Sequence, residues 1–186
     1  MMLFIMFDVT VAEVEVYLYI FPNVFKSKVI HPCTISLPTI ETLFIETVKE
    51  NCRLLIISIY RPPSANDILF IDKLSELLCM ISGNGYDEII LCGDVNLDIL
   101  NYDNNGNKLN LLNSLTSQSL IPIITKPSRI TNKTATLIDI IFINQPTGFV
   151  SGILISDISD HLPLFILKRN LFTKNPLNKT QMWNIV

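Results

Sequence analysis

The sequence predicts a layered α/β fold. Three observations carry this reading: short runs of Ile, Leu and Val with strand-like lengths, two segments that read as helices lying between such runs, and Pro, Gly, Asn and Asp marking the breaks. The order is strands, helix, strand, helix, strands, which favours helices layered on sheets over an all-β sandwich. With 186 residues the chain is long enough for one domain with a sizeable core. It is 49% hydrophobic and 17% charged, which suits strands buried on both faces.

The opening Met1–Phe7 is apolar, and Asp8, Glu13 and Glu15 follow. With no basic start and no small-residue cleavage site, it reads as a cut end or a strand start, not a secretory signal. Glu13–Ile20 alternates polar and apolar residues, as a half-buried strand does. Ile40–Val48 and Arg53–Tyr60 are two further strands joined by a tight connection at "KEN". Pro62 and Pro63 stop the sheet, since proline cannot donate to a ladder. Ser64 is the expected N-cap of a helix over Ala65–Ile81, with Ile68, Ile71, Leu74, Leu78 and Ile81 at helical spacing.

"SGNGYD" then breaks the helix, and Glu88–Cys92 is a short buried strand that runs into "GDVN". Asn107–Leu120 reads as a second helix. "IPIIT", "ATLIDIIFIN", "VSGILISDIS" and "LPLFILKR" read as later strands. Residues 1–169 are expected to form one domain, and the polar stretch 170–186 a tail or linker.

Several function classes are disfavoured. No run reaches the ~18 apolar residues of a membrane helix. A net charge of −3 argues against a simple basic coat for nucleic acid. Cys33, Cys52, Cys79 and Cys92 contain no CxxC pair, and His31 and His161 stand far apart, so zinc-finger spacing fails. Cys79 and Cys92 lie in apolar runs and read as small buried thiols. A reducing, intracellular setting follows, nucleus or cytoplasm rather than secreted.

Four segments could carry chemistry. "ILCGDVN" places Asp94 and Asn96 at the end of a buried strand, where α/β folds build sites; a plain Asp/Asn turn is the alternative. "SDH" sets Asp160 beside His161, a pair able to bind a metal or move protons, or simply to cap a turn. Asp139 sits inside the apolar "LIDIIF". Buried there it needs a partner such as a histidine; otherwise it points to solvent between Ile138 and Ile140. "SIYRPPS" offers the Tyr60 hydroxyl and the Arg61 charge, suited to phosphate, or a polar strand end and a stiff turn.

In order, "YRPPS", "GDVN", "PSRIT", "LIDIIF" and "SDHLPLF" resemble the signature series of the endonuclease/exonuclease/phosphatase superfamily. The wording is most similar to the endonuclease domain of non-LTR retrotransposons, with patterns like YRPP, GDFN, P-[ST]-R-I-T, T-L-I-D and S-D-H-x-P. The resemblance covers about Tyr17 to Lys168. Val95 stands where the family usually has Phe. The family's opening strand with a metal-site Asn, and its next strand ending in a metal-binding Glu, have no match here. Glu41 and Glu46 lie in the wrong context to replace that Glu.

The resemblance implies a four-layer α/β sandwich of two mixed β-sheets flanked by helices, with the first sheet incomplete. It implies phosphodiester hydrolysis with Mg²⁺, or Mn²⁺ in its place. By position, Asp94 would activate or orient the attacking water and Asn96 hold the phosphate or the water. Asp139 would orient His161, and His161 would stabilise the charged transition state. Asp160 would contribute to the metal site, and Tyr60 and Arg61 would contact the phosphate. The substrate would be DNA, and the partner a reverse transcriptase domain in the intact element. Asp94, Asn96, Asp139, Asp160 and His161 should then share one cleft, with Asp139 hydrogen-bonded to His161. Without the Glu segment, little or no nicking is expected from this chain alone. A non-catalytic truncated remnant, or another phosphodiesterase or phosphatase of the superfamily, remains open, though "YRPPS" and "PSRIT" lean away from the latter.

Overall fold

The structure is a computed structural model, and it describes residues 2–10, 13–20, 26–30, 40–49, 52–104, 106–157 and 159–169. Cys33, His31 and the expected tail 170–186 lie outside the described residues. In chain order the strands are β1 (Met2–Thr10), β2 (Glu13–Ile20), β3 (Lys26–Ile30), β4 (Glu41–Lys49) and β5 (Cys52–Tyr60). Helix α1 (Asp67–Ser82), β6 (Glu88–Asp94), a 3₁₀ segment (Ile99–Asn104) and α2 (Gly106–Ser117) follow. The chain continues through β7 (Ile121–Pro122), β8 (Arg129–Ile130), β9 (Ala135–Thr136), β10 (Asp139–Ile143), β11 (Phe149–Ile153) and β12 (Leu164–Arg169).

These strands form a six-stranded sheet in the order β3-β4-β5-β6-β10-β7, a four-stranded sheet in the order β11-β12-β1-β2, and the small pair β8-β9. Among the described residues only the six-stranded sheet is mixed. Its β5–β6 pair is parallel, with α1 as the crossover, while every pairing in the four-stranded sheet is antiparallel. The expectation of two mixed sheets is therefore corrected for the smaller one. The apolar opening segment is a strand, β1, paired between β12 and β2.

Side chains alternate faces along a strand, so the unbroken burial of Leu54–Ile59 means that β5 is covered on both sides. Phe70, Ile71, Leu74, Leu77, Leu78 and Ile81 of α1, with Leu111 and Leu115 of α2, join the same core as β5, β6 and β10. Ile166 of β12 and, partly buried, Phe149 of β11 join it from the four-stranded sheet. The described residues thus give two packed sheets and one helical layer. No described helix is long and apolar enough to cross a membrane.

The helix starts later than the sequence suggests. Asn66, not Ser64, is the cap: its side-chain oxygen accepts the Leu69 N–H at 3.0 Å, while Pro62–Ala65 is closed by its own turn. Ile68, assigned to the apolar face, is 60% exposed in the first turn. Cys79 is exposed, correcting the buried reading, whereas Cys92 and Cys52 are buried.

The run "ATLIDIIFIN" is not one strand. Between β9 and β10 the ladder is interrupted because side chains take its donors. Leu137 N–H donates to Asp98 Oδ1 at 3.0 Å, and Ile138 and Asp139 N–H donate to Ser128 Oγ at 3.2 and 2.9 Å.

Candidate active site

The site lies where β5 and β6 end and the antiparallel β10 begins. Register places Tyr60 opposite Asp94 across the parallel pair, and Asp139 opposite Asp94 across the antiparallel pair. Gly93 makes this approach achievable. Its φ is +134°, and a Cβ there would lie 1.8 Å from the Ile59 carbonyl oxygen. No side chain fits, so "GD" is a packing requirement as well as a turn.

Asp94 and Asp139 are both buried, and His161 completes the group. His161 Nδ1 lies 3.1 Å from each carboxylate oxygen of Asp139, so an Nδ1–H donates to that carboxylate. This is the buried alternative for Asp139, with the histidine as its partner. Asn96, at φ +48°, donates its backbone N–H to Asp94 Oδ1 at 2.8 Å. Its Nδ2 donates to Asp94 Oδ2 at 3.1 Å and to the Arg61 carbonyl at 2.8 Å. Asn tolerates the left-handed region well, and here it fixes both oxygens of the neighbouring carboxylate.

Burial pushes the Asp94 carboxyl up to about 6, and the Asp139 charge adds to this; the Asn96 N–H, His161 and Arg129 pull the other way. His161 is raised, chiefly by its bond to Asp139, against the opposing effect of burial. Two groups with raised pKa values in one recess are candidates for acid–base chemistry.

The remaining expected residues are placed differently. Tyr60 is half-buried beside Asp94. Arg61 does not face a substrate. Its side chain is 3% exposed, paired with Asp67 and bonded to the Ala65 carbonyl, with longer 3.4 Å contacts to the Val95 and Asn96 carbonyls. Its backbone N–H also donates to the Asp94 carbonyl at 2.9 Å. Arg61 therefore ties the "YRPPS" turn to the "GDVN" loop. Asp160 is ion-paired to Arg129 Nε at 2.7 Å, which lowers its pKa, and it stands outside the Asp94–Asp139–His161 cluster.

Two residues escaped the sequence reading. Ser128 is fully buried and holds the start of β10 through Oγ, while its carbonyl accepts the Leu162 N–H at 2.7 Å. It couples the strand carrying Asp139 to the loop carrying His161. Asp98 fastens the stretch after Asn96 to Leu137, and its carboxyl is held low by these hydrogen bonds despite its burial. A serine and an aspartate in turn-like sequence give no local sign of such long-range bonds.

The cluster fits a divalent cation. One ligand atom from each of Asp94, Asp139 and His161 lies within 4.8 Å of the others. An ion with bonds of about 2.1 Å spans roughly 4.2 Å between opposite ligands, so a small inward adjustment suffices. Two carboxylates facing each other in a buried setting also repel, and a cation offsets that. The carboxylate oxygens of Asp94 and Asp139 suit Mg²⁺ or Mn²⁺, while the Nδ1–H of His161 is committed to Asp139.

A family model described as "Endonuclease-reverse transcriptase" matches residues 54–165, from near the start of β5 into β12 and across every site residue named above. No curated protein matches the chain. Among solved structures, the endonuclease domain of TRAS1, a telomere-specific non-LTR retrotransposon, aligns with a TM-score of 0.62 at 14% identity, covering 89% of this chain and 78% of that one. The beta toxin from Staphylococcus aureus aligns at 0.51 and 12% identity, over 69% of this chain and 57% of its own. A humanized D. rerio TDP2 aligns at 0.51 and 15% identity, over 78% of this chain and 67% of its own. At these identities the likeness is one of fold.

Proposed function

Because this chain belongs to the endonuclease-reverse transcriptase family, we propose that its site hydrolyses phosphodiester bonds with a divalent cation, nicking DNA for a retrotransposon. The observation that carries this is the meeting of Asp94, Asp139 and His161 from three separate segments, with Asn96 locking Asp94. Asn96 holds both oxygens of Asp94, which fixes the carboxylate to orient a water or accept its proton. Asp94 is therefore assigned the attacking water. His161, oriented through Nδ1 by Asp139, presents Nε2 to the phosphate, where its charge stabilises the negative transition state. Asn96 positions Asp94, and the half-buried Tyr60 borders the same recess. Mg²⁺ or Mn²⁺, held by Asp94 and Asp139, would supply polarisation of the phosphate. A reverse transcriptase domain is the natural partner of such a nuclease.

Turnover is expected to be slow. A few carboxylates hold a hydrated cation loosely, and misplacement by about 1 Å costs roughly 100-fold. The test is relaxation of supercoiled plasmid with Mg²⁺, with Mn²⁺ and with EDTA, for the chain and for an Asp94→Ala, His161→Ala double variant. Metal-dependent nicking that the double variant abolishes supports the reading. Equal traces from both proteins would refute it and favour the non-catalytic remnant.

A further inference from the structure

Arg61 is closed off inside the turn, so a buried site made of two carboxylates and a histidine lacks the fixed positive charge that a phosphodiester needs from the protein. Arg129 stands where that charge is wanted. It forms an isolated antiparallel bridge with His161. The flanking bonds, Ile130 N–H to the Asp160 carbonyl at 2.9 Å and Leu162 N–H to the Ser128 carbonyl at 2.7 Å, make the two residues a non-hydrogen-bonded pair. In that arrangement the Cα atoms are about 4.5 Å apart and both side chains leave the same face. The face from which His161 reaches Asp139 is therefore the face from which Arg129 emerges.

The guanidinium is also oriented. Its Nε donates to Asp160 Oδ2 at 2.7 Å, and the side chain stays 40% exposed. Among the described residues its two terminal nitrogens have no hydrogen-bond partner. A guanidinium gripped at Nε presents its remaining N–H groups as a planar fork, the shape that matches two phosphate oxygens. Ser128 next to it is buried and fixes the backbone on both sides of the bridge.

We propose that Arg129, steered by Asp160, is the residue of this chain that binds the substrate's phosphate backbone beside His161. Asp160 acts here as a positioning residue. The proposal rests on the phosphodiesterase reading only for the identity of the substrate.

Binding can be read without turnover. A short fluorescein-labelled DNA duplex is titrated with the full chain in EDTA, and anisotropy gives affinity against salt. Losing one phosphate contact should lower the slope of log K against log salt by about 0.9. The expected result is that Arg129→Gln lowers affinity several-fold and flattens the slope by that amount. Arg129→Lys should keep the slope, and Arg129→Gln with Asp160→Asn should stay as flat as Arg129→Gln alone. An unchanged slope in Arg129→Gln, or recovery of the wild-type slope in the double variant, would overturn the proposal; recovery would mean that Arg129 merely neutralises Asp160. Absence of any salt-dependent binding by the wild type would also overturn it. Plasmid nicking separates the two readings. A wild type that nicks while Arg129→Gln binds like it leaves the enzyme standing without this residue. An Arg129-dependent slope with no nicking leaves the phosphate site standing without catalysis.

Discussion

Strand β5 carries an arginine near its start and is followed by one directly after its end, and the two live in opposite worlds. Arg53 has a side chain 37% exposed, pairs with Glu46 at 2.8 Å and lies over the Tyr86 ring at 4.4 Å. Arg61 has a side chain 3% exposed, pairs with Asp67, packs over Phe70 at 5.8 Å and contacts three backbone carbonyls. Its Nε nonetheless has no partner among the described residues. The same chemical group is an accessory on the surface at one end and a structural fastening at the other. The polar groups that cannot be surrendered cluster at the end of the sheet where Asp94 and Asp139 meet.

The sharpest test of that contrast is stability. Arg61→Met leaves the 29% exposed Asp67 to water but strands backbone carbonyls of Ala65, Val95 and Asn96, at about 1–3 kcal/mol for each buried acceptor left unsatisfied, so it should lower the urea midpoint strongly. If Arg61→Met and Arg53→Met shift the midpoint equally, the contrast between the two ends is wrong. Next in size is Ser128→Ala, which strips the acceptor from two buried N–H groups. A cost of about 1–3 kcal/mol is expected, with the Asp139–His161 contact loosened, which the imidazole proton resonance would report.

A smaller effect comes from pH. Asp94 is raised from an ordinary 3.8 to about 6, so folding carries the cost of its buried charge above that range and sheds it as pH falls toward 3.8. His161, raised above 6.5, contributes stability that is complete below 6.5 and lost as pH rises through its folded value. Both favour weak acid. Asp98 and Asp160, held low, contribute stability that is lost only as pH falls below 3.8. The protein should therefore be roughly 1–2 kcal/mol more stable near pH 5 than near pH 8. Asp94→Asn should erase most of that difference while abolishing nicking, as denaturation at the two pH values would show. Smallest is Arg53→Ala. Arg53 is 37% exposed although its partner Glu46 is 16% exposed, so the pair contributes about 1 kcal/mol and the midpoint should move least, and less still at high salt.

The strands were legible where burial imposes a pattern: Arg53–Tyr60 ends at the prolines, and Glu88–Cys92 runs into Gly93, close to β5 and β6 as found. Asp94, Asn96, Asp139 and His161 were legible through the order of their motifs, and the structure brings them together. What escaped was direction. Arg61 and Arg129 look alike as letters, and which one faces the recess depends on the chain's path after each strand, which no local period encodes. Ser128 escaped for the same reason, since its partners lie ten and eleven residues away. The helix start moved from Ser64 to Asn66 because two residues two positions apart can both cap, and the turn at Pro62 decides between them.

The close approach at Gly93 has a consequence for how such a chain is inherited. The polar residues of the site form a small mutational target, and inspection of them alone would pronounce many damaged copies intact. Gly93 enlarges that target silently. Any replacement puts a carbon where the Ile59 carbonyl already is, so β5 and β6 must separate at the point that sets Asp94 beside Asp139. A lineage can thus lose the geometry of this site through a residue with no chemistry of its own. In a collection of sibling copies, the letter before Asp94 should sort working genes from relics as well as the aspartate itself does.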